Sequence, residues 1–256
     1  MRTWAAEAYH RSFERLCAGA VPDLLGAVGA PAGGRRLLDA GSGTGVVAAA
    51  AAQLGWRVDA VDLDAGMTAY TARHLPTVTS RVESIAALSD GDHAFDAVTA
   101  GFSLNHADHP SLVVGELHRV LRSGAPIAAT VWPWQRTEMN ALWSELMDET
   151  STRPARVALP AGEPFERTEP GLAGLLAGGG FHGVATRRLA WTFEIAPGEL
   201  WRGIETGLAT IGQAYLAADD GGRRRLRAAY DDRTAELAPD GLLRFPVEAI
   251  LGVGIA

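Results

Sequence analysis

The strongest constraint on the fold of this chain is one continuous unit near its start. The apolar run Leu37-Leu38-Asp39-Ala40 leads into Gly41-Ser42-Gly43-Thr44-Gly45, an alanine-rich segment follows, and Val58 to Asp62 is a second apolar run ending in an acid. Strand, glycine turn, helix, strand and acid form the unit by which an α/β sheet holds a nucleoside-containing cofactor. The glycines permit a tight turn and close backbone approach, and the acid can accept from ribose hydroxyls. The chain has 30 glycines in all, so isolated ones carry little weight, whereas three alternating directly after a strand do.

Composition narrows the function classes. With 256 residues, 47% hydrophobic and 21% charged, the chain can bury a large core and is far from the disordered class. A formal charge of −7 argues against nucleic acid or an anionic membrane as partner, and the basic run Arg223-Arg224-Arg225 reads as a solvated helix face. Cys17 is the only cysteine, which excludes an intramolecular disulfide and a cysteine-based zinc site. The first residues lack the apolar stretch of a signal peptide, and no run approaches the roughly 20 apolar residues of a bilayer span. A cytoplasmic protein, monomeric or homodimeric, is expected.

Strand and helix patterns alternate along the first half. Residues 4–29 carry apolar positions at helical spacing, with Pro22 expected to divide them into two helices. Strands are expected at 35–40, 56–62, 79–82, 94–101 and 126–132, and helices at 46–54, 66–74 and 112–121. After Trp132 the rhythm breaks into a helix at 138–150, a proline- and glycine-punctuated loop at 153–166, and a helix at 172–176. A strand at 184–195, helices at 199–217 and 223–237, and a final strand at 243–255, bent at Pro246, complete the reading. Short links between alternating elements predict a largely parallel sheet with helices on both faces. One domain is expected over 1–256, with 1–30 as a helical cover and 133–167 as an insertion forming a lid over one end of the sheet.

The glycine pattern is G-x-G-x-G, not the dinucleotide G-x-G-x-x-G: Val46 stands where the third glycine would fall, and Asp39 precedes the turn. The run from 35 to 132 resembles the class I S-adenosylmethionine-dependent methyltransferases, in particular those of small-molecule and quinone-biosynthesis type. The resemblance implies a Rossmann-like, seven-stranded mixed sheet whose last strand is antiparallel and lies between strands five and six. It implies S-adenosyl-L-methionine as cofactor and S-adenosyl-L-homocysteine as product. By position, Asp39, Gly41, Ser42, Gly43 and Gly45 would line the methionine end of the cofactor, with Gly101 nearby. Asp62 would hold both ribose hydroxyls, Leu63 and Met67 would lie near the adenine, and either Glu83 or Ser84, ahead of Ile85, would read the adenine amine.

In such a sheet ligands bind beyond the carboxyl ends of the strands. Ser103, Asn105, His106 and Asp108 follow strand four there, and Trp132, Trp134 and Arg136 follow strand five. With Tyr9 and Phe13 of the N-terminal cover and Trp143, they predict an aromatic-lined pocket for a small organic methyl acceptor; Trp143 reads equally well as a core residue pinning the insertion. Methyl transfer is an in-line displacement that depends mainly on positioning, but an oxygen or nitrogen nucleophile must also lose a proton. His106 is the first candidate base and His109 the second, with Asn105 orienting the turn. His106, Asp108 and His109 carry ligating groups, yet one short loop rarely completes a metal shell, so no metal is expected. The expected activity is methyl transfer to oxygen, nitrogen or carbon of a small molecule; the alternative is a non-catalytic cofactor-binding regulator or partner subunit.

Overall fold

Five short apolar runs become the parallel half of one sheet: β1 (Arg36–Ala40), β2 (Arg57–Asp62), β3 (Thr79–Val82), β4 (Ala97–Gly101) and β5 (Pro126–Val131). β6 (His182–Ile195) and β7 (Leu243–Ile255) complete it as a long antiparallel pair. The strand order is β3-β2-β1-β4-β5-β7-β6, so the last strand runs antiparallel between β5 and β6 as expected. The computed structural model describes residues 3–135, 137–153 and 165–256. Arg136 and the 154–164 part of the expected lid lie outside the described residues, as do the first two residues of the N-terminal cover.

The central strands are buried along nearly their whole length, as parallel strands covered on both faces must be. On one face, α6 (Pro110–Val120) and α8 (Glu169–Gly178) pack Val114, Leu117 and Leu172 against Leu38, Val98 and Ile127. On the other, α3 (Val21–Val28) and α4 (Val46–Gln53) set Leu24 and Val47 against Leu37, Ala97 and Ala128. Between β2 and β3 runs α5 (Ala65–His74), against which the N-terminal helix α1 (Thr3–Arg11) packs.

β7 pairs with β5 only from Ile250 to Ile255; from Leu243 to Ala249 it pairs with β6 alone. That half of the hairpin projects past the carboxyl end of β5, on the side where ligands bind. It carries α7 (Glu138–Glu149), α9 (Pro197–Glu205), α10 (Ala209–Ala217) and α11 (Asp220–Leu237). Trp201, Tyr230, Phe193 and Phe245 form a third apolar cluster here. Trp143 belongs to it, 2% exposed and stacked near Tyr230, so its core reading holds and it does not line an acceptor pocket.

Three expected boundaries need correction. The N-terminal segment breaks at Ser12 and at Gly19-Ala20, giving α2 (Phe13–Ala18) between α1 and α3. Pro22 sits in the first turn of α3, where its missing N–H costs nothing, and Gly19 makes room for the Trp191 indole. The helix expected over 199–217 is two, parted at Gly207 in the left-handed region (φ +89°). Pro246 does not interrupt β7: it stays in register opposite Thr192, where β7 has a neighbour on one side only and tolerates a residue without a donor.

A row of charges ties the first three strands. Asp59 in β2 bonds Arg36 of β1 at 3.1 Å and Arg81 of β3 at 2.9 Å, and Asp90 also reaches both arginines. The Asp59 side chain is 10% exposed. Removing it takes one carboxylate from each arginine and leaves Asp90 to serve both, so Asp59→Ala is expected to cost about 1.5–3 kcal/mol, the scale of charge-assisted bonds lost. Urea unfolding checks this as a lowered midpoint at unchanged slope.

Candidate functional site

The turn after β1 is closed by one acceptor. The carbonyl of Val61, next to last in β2, takes the amides of Gly41 (2.8 Å) and Ser42 (2.9 Å). Gly41, Gly43 and Gly45 all lie at positive φ. A side chain at Gly41 would collide with Ser103, so the loop after β1 and the turn after β4 meet at that bare backbone. The Gly43 amide donates to Asp62 Oδ2 and the Asp64 amide to Oδ1, both at 2.8 Å, which fixes the Asp62 carboxylate and leaves each oxygen further lone pairs. Asp64 caps α5 by accepting from Gly66 and Met67.

Beneath the loop Asp39 is 1% exposed. Its Oδ1 accepts from Thr99 at 3.2 Å, but Oδ2 has no partner in the described structure, and neither do the buried hydroxyls of Ser42 and Ser103. Burial pushes the Asp39 carboxyl up to about 7, against the Thr99 hydroxyl and the nearby Ala48 amide and with help from the charges of Asp62 and Glu14. Asp39, Gly41, Ser42 and Gly43 line a cavity of about 40 Å³ together with Tyr9, Glu14, Gly101 and Phe102. Its lining holds two carboxylates and no lysine, arginine or histidine. An unpartnered buried carboxylate beside unpartnered hydroxyls suits a polar ligand carrying positive charge.

Tyr9 and Glu14 close this cavity from the N-terminal helices. The Tyr9 ring lies against Gly43, where a Cβ would stand 3.5 Å from its Cε1. Glu14, 4% exposed, bonds the Thr44 hydroxyl and the His10 ring. Sequence reasoning passed over Glu14; its only signal was an acid beside Leu16 and Cys17 on the apolar side of a helix.

The side on which the sequence reading expects an acceptor is built on the 3₁₀ turn Ser103–His106. Phe102 starts it in the left-handed region (φ +61°) and stacks on Trp132 with ring centres 3.8 Å apart. The Asn105 amide is committed to the backbone: Oδ1 accepts from the Trp132 amide (3.0 Å), and Nδ2 reaches the Trp132 carbonyl (3.5 Å). It therefore clamps the ends of β4 and β5 and is not available for proton transfer. His106 stands exposed at the rim; crowding on its inner side and the charge of Arg167 lower its pKa, opposed by Asp62. Arg167, which the sequence did not single out, donates to the Asn105 carbonyl (3.0 Å) and lies 4.6 Å over the Trp134 ring. Among the described residues no carboxylate pairs with it.

Other expected residues fall elsewhere. Phe13 packs against α9, 2.9 Å from where a Cβ on Gly203 would stand. His109 is exposed at the start of α6 and makes no capping bond. Leu63 is 74% exposed, while Met67 is buried beside Tyr70 and Tyr9. Against the upward pull of burial, Ser89 and Arg81 hold the Glu83 carboxyl below its ordinary range; Ser84 accepts from Ala86, and Ile85 packs on the core. Among the described residues no cluster of metal-ligating groups forms, and no helix is long and apolar enough to cross a membrane.

The profile of the methyltransferase domain family matches residues 38–129. A demethylmenaquinone methyltransferase of Beutenbergia cavernae is 30% identical over 188 residues, 69% of this chain and 76% of that protein. One from Renibacterium salmoninarum is 34% identical over 107 residues, 42% of this chain and 44% of its own length. The chain thus spans under half the length of the first curated relatives it matches. The YcgJ protein of Bacillus subtilis shares the fold at a TM-score of 0.57 and 18% identity, over 92% of this chain and 97% of that one.

Asp39 makes stability depend on pH. Its folded-state pKa of about 7 stands above the unfolded value near 3.9, so between the two the unfolded chain sheds a proton that the folded chain keeps. Stability then falls as pH rises from about 4 to 7 and stays lower above it. Asp39→Asn does not titrate and is expected to melt higher than wild type at pH 8, with the advantage vanishing toward pH 4. Calorimetric melts across that range decide it; equal melting temperatures at pH 8 would contradict the assignment.

Proposed function

Because the chain belongs to the class I S-adenosylmethionine-dependent methyltransferase family, we propose that it transfers a methyl group from S-adenosylmethionine to a small organic acceptor. The observation that carries this reading is the buried, unpartnered Asp39 oxygen in a cavity lined by acids and no base, beneath a glycine loop fastened to Asp62. When bound, S-adenosylmethionine supplies an electrophilic methyl group on a sulfonium. Asp62, held by two amides, offers both oxygens to a vicinal diol. Asp39 balances positive charge at the methionine end, and the first amides of α4 face the accompanying carboxylate.

On the acceptor side Trp132 and Trp134 supply aromatic walls, and the ends of the 133–167 insertion meet where the Trp134 amide approaches the Arg167 carbonyl (3.4 Å). His106, its pKa below 6.5, stands neutral near pH 7 and can take a proton. Arg167 beside it favours an acceptor with an acidic hydroxyl, a phenol or enol whose oxyanion the guanidinium steadies. The net charge of −7 fits a small-molecule acceptor and not nucleic acid. Radiolabelled S-adenosylmethionine with a panel of phenols, enols and amines tests the reading. Cofactor binding without transfer to any acceptor, in the panel or in host extract, would favour a regulator instead.

Asp62→Ala is expected to weaken S-adenosylhomocysteine binding by about 2–4 kcal/mol, the scale of a doubled charge-assisted contact. Titration calorimetry measures it, and an unchanged Kd would remove Asp62 from the ribose. For an oxygen or nitrogen acceptor, His106→Gln should lower kcat by roughly 10²–10⁴-fold with little change in cofactor affinity. In wild type kcat should fall as pH drops below about 6.5, where His106 gains a proton, and that limb should vanish in the variant. Near-wild-type turnover in His106→Gln would end the base assignment.

A further inference from the structure

We infer that Glu14 is a cofactor-binding residue, the acceptor for the α-ammonium group of S-adenosylmethionine, brought to the cradle by an N-terminal helix and not by the glycine unit. The inference rests on the cofactor reading above. A carboxylate on the buried side of a helix is costly unless a positive group meets it. Glu14 is 4% exposed, and its one ion-pair partner among the described residues is an imidazole, not a permanently charged guanidinium. Its partners are the Thr44 hydroxyl, inside the glycine loop, and the ring of His10, whose side chain is 47% exposed.

Three carboxylates therefore gather at one loop. Asp62 is bonded to the Gly43 amide, Asp39 lies beneath with one oxygen unpartnered, and Glu14 approaches from the other side at Thr44. Glu14 and Asp39 line the same cavity, and the charges of Glu14 and Asp62 both push the Asp39 carboxyl upward. A cation placed among its members would relieve the mutual repulsion of such a group and let all three carboxyls ionise. Asp62 sits at the end of β2 with its oxygens set for a diol, whereas Glu14 meets the loop where α4 begins, at the amino-acid end of the cofactor. Glu14 also lines an outer groove of about 390 Å³ with His10, Arg11, Arg15 and Glu199, so it forms part of the wall between solvent and cradle. The ammonium group thus draws α2 onto the cofactor.

Titration calorimetry with two ligands tests this. S-Adenosylhomocysteine carries the amino-acid group; 5′-methylthioadenosine has the same nucleoside and a thioether but lacks it. Glu14→Gln should weaken S-adenosylhomocysteine by about tenfold or more, the effect of one lost charge-assisted bond, and leave methylthioadenosine within about twofold. Unchanged S-adenosylhomocysteine affinity, or equal losses for both ligands, would overturn the assignment. Thr44→Val cuts the tie to the loop but keeps the carboxylate, and should hold S-adenosylhomocysteine within about threefold; a loss matching that of Glu14→Gln would reduce Glu14 to a latch and overturn the assignment too. If Glu14→Gln does not fold by circular dichroism, Glu14→Asp carries the same comparison with the same expected selectivity. Wild-type protein that binds neither ligand would overturn the cofactor reading itself, a result separable from any effect of the variants.

Discussion

Two amides on one carbonyl organise this site. By accepting from Gly41 and Ser42, the Val61 carbonyl fastens the loop after β1 to the end of β2, and the rest follows from that anchor. Gly41, without a side chain, lets Ser103 approach, so the turn after β4 is placed by the same loop. The Gly43 amide is turned toward Asp62, and Gly45 launches α4. A loop of five residues thereby sets the positions of groups from three parallel strands. Its conformation is open mainly to glycine at three of those five positions, which explains their alternation.

Charge is divided across the cleft. Beneath and around the loop the chain gathers Asp39, Asp62 and Glu14 with no fixed cation among the cavity residues, at a cost in burial that a cationic ligand can offset. Across the turn after β4, Arg167 rests on a carbonyl and an aromatic face with no described carboxylate partner, and its charge helps keep His106 neutral. One side of the cleft is thus acidic and the other carries an arginine without a described carboxylate partner. That polarity matches a reaction in which a nucleophile approaches a sulfonium, and it belongs to the site and not to the fold, which is shared with solved structures of 15–18% identity.

The overhanging hairpin supplies the ground on which the acceptor side stands. Because β7 outruns β5, its free half holds four helices beyond the carboxyl ends of the strands, and the Trp191 indole there packs against Gly19 and near Trp132. The N-terminal cover, the end of β5 and the C-terminal helices are thus joined through aromatic contacts. Trp143 is spent on that scaffold, which is why an aromatic count alone overstated the pocket.

The parallel half of the sheet, the glycine loop and the placing of acids at 39 and 62 were legible in the chain alone. All depend on short-range rules: apolar strand runs, turns that need positive φ, and an acid at the end of the next strand. Strand breaks and helix ends were less legible where packing set them, as at Ser12, at Gly19 beneath Trp191, and at Gly207. The contacts of Glu14, Arg167 and Asn105 emerge only once the chain is folded. Glu14 meets Thr44 across 30 positions and Arg167 meets Asn105 across 62, and neither side chain carries a local pattern that names its partner. An acid on an apolar helix face and an arginine in a loop take their meaning from what lies opposite, and folding alone brings those partners together.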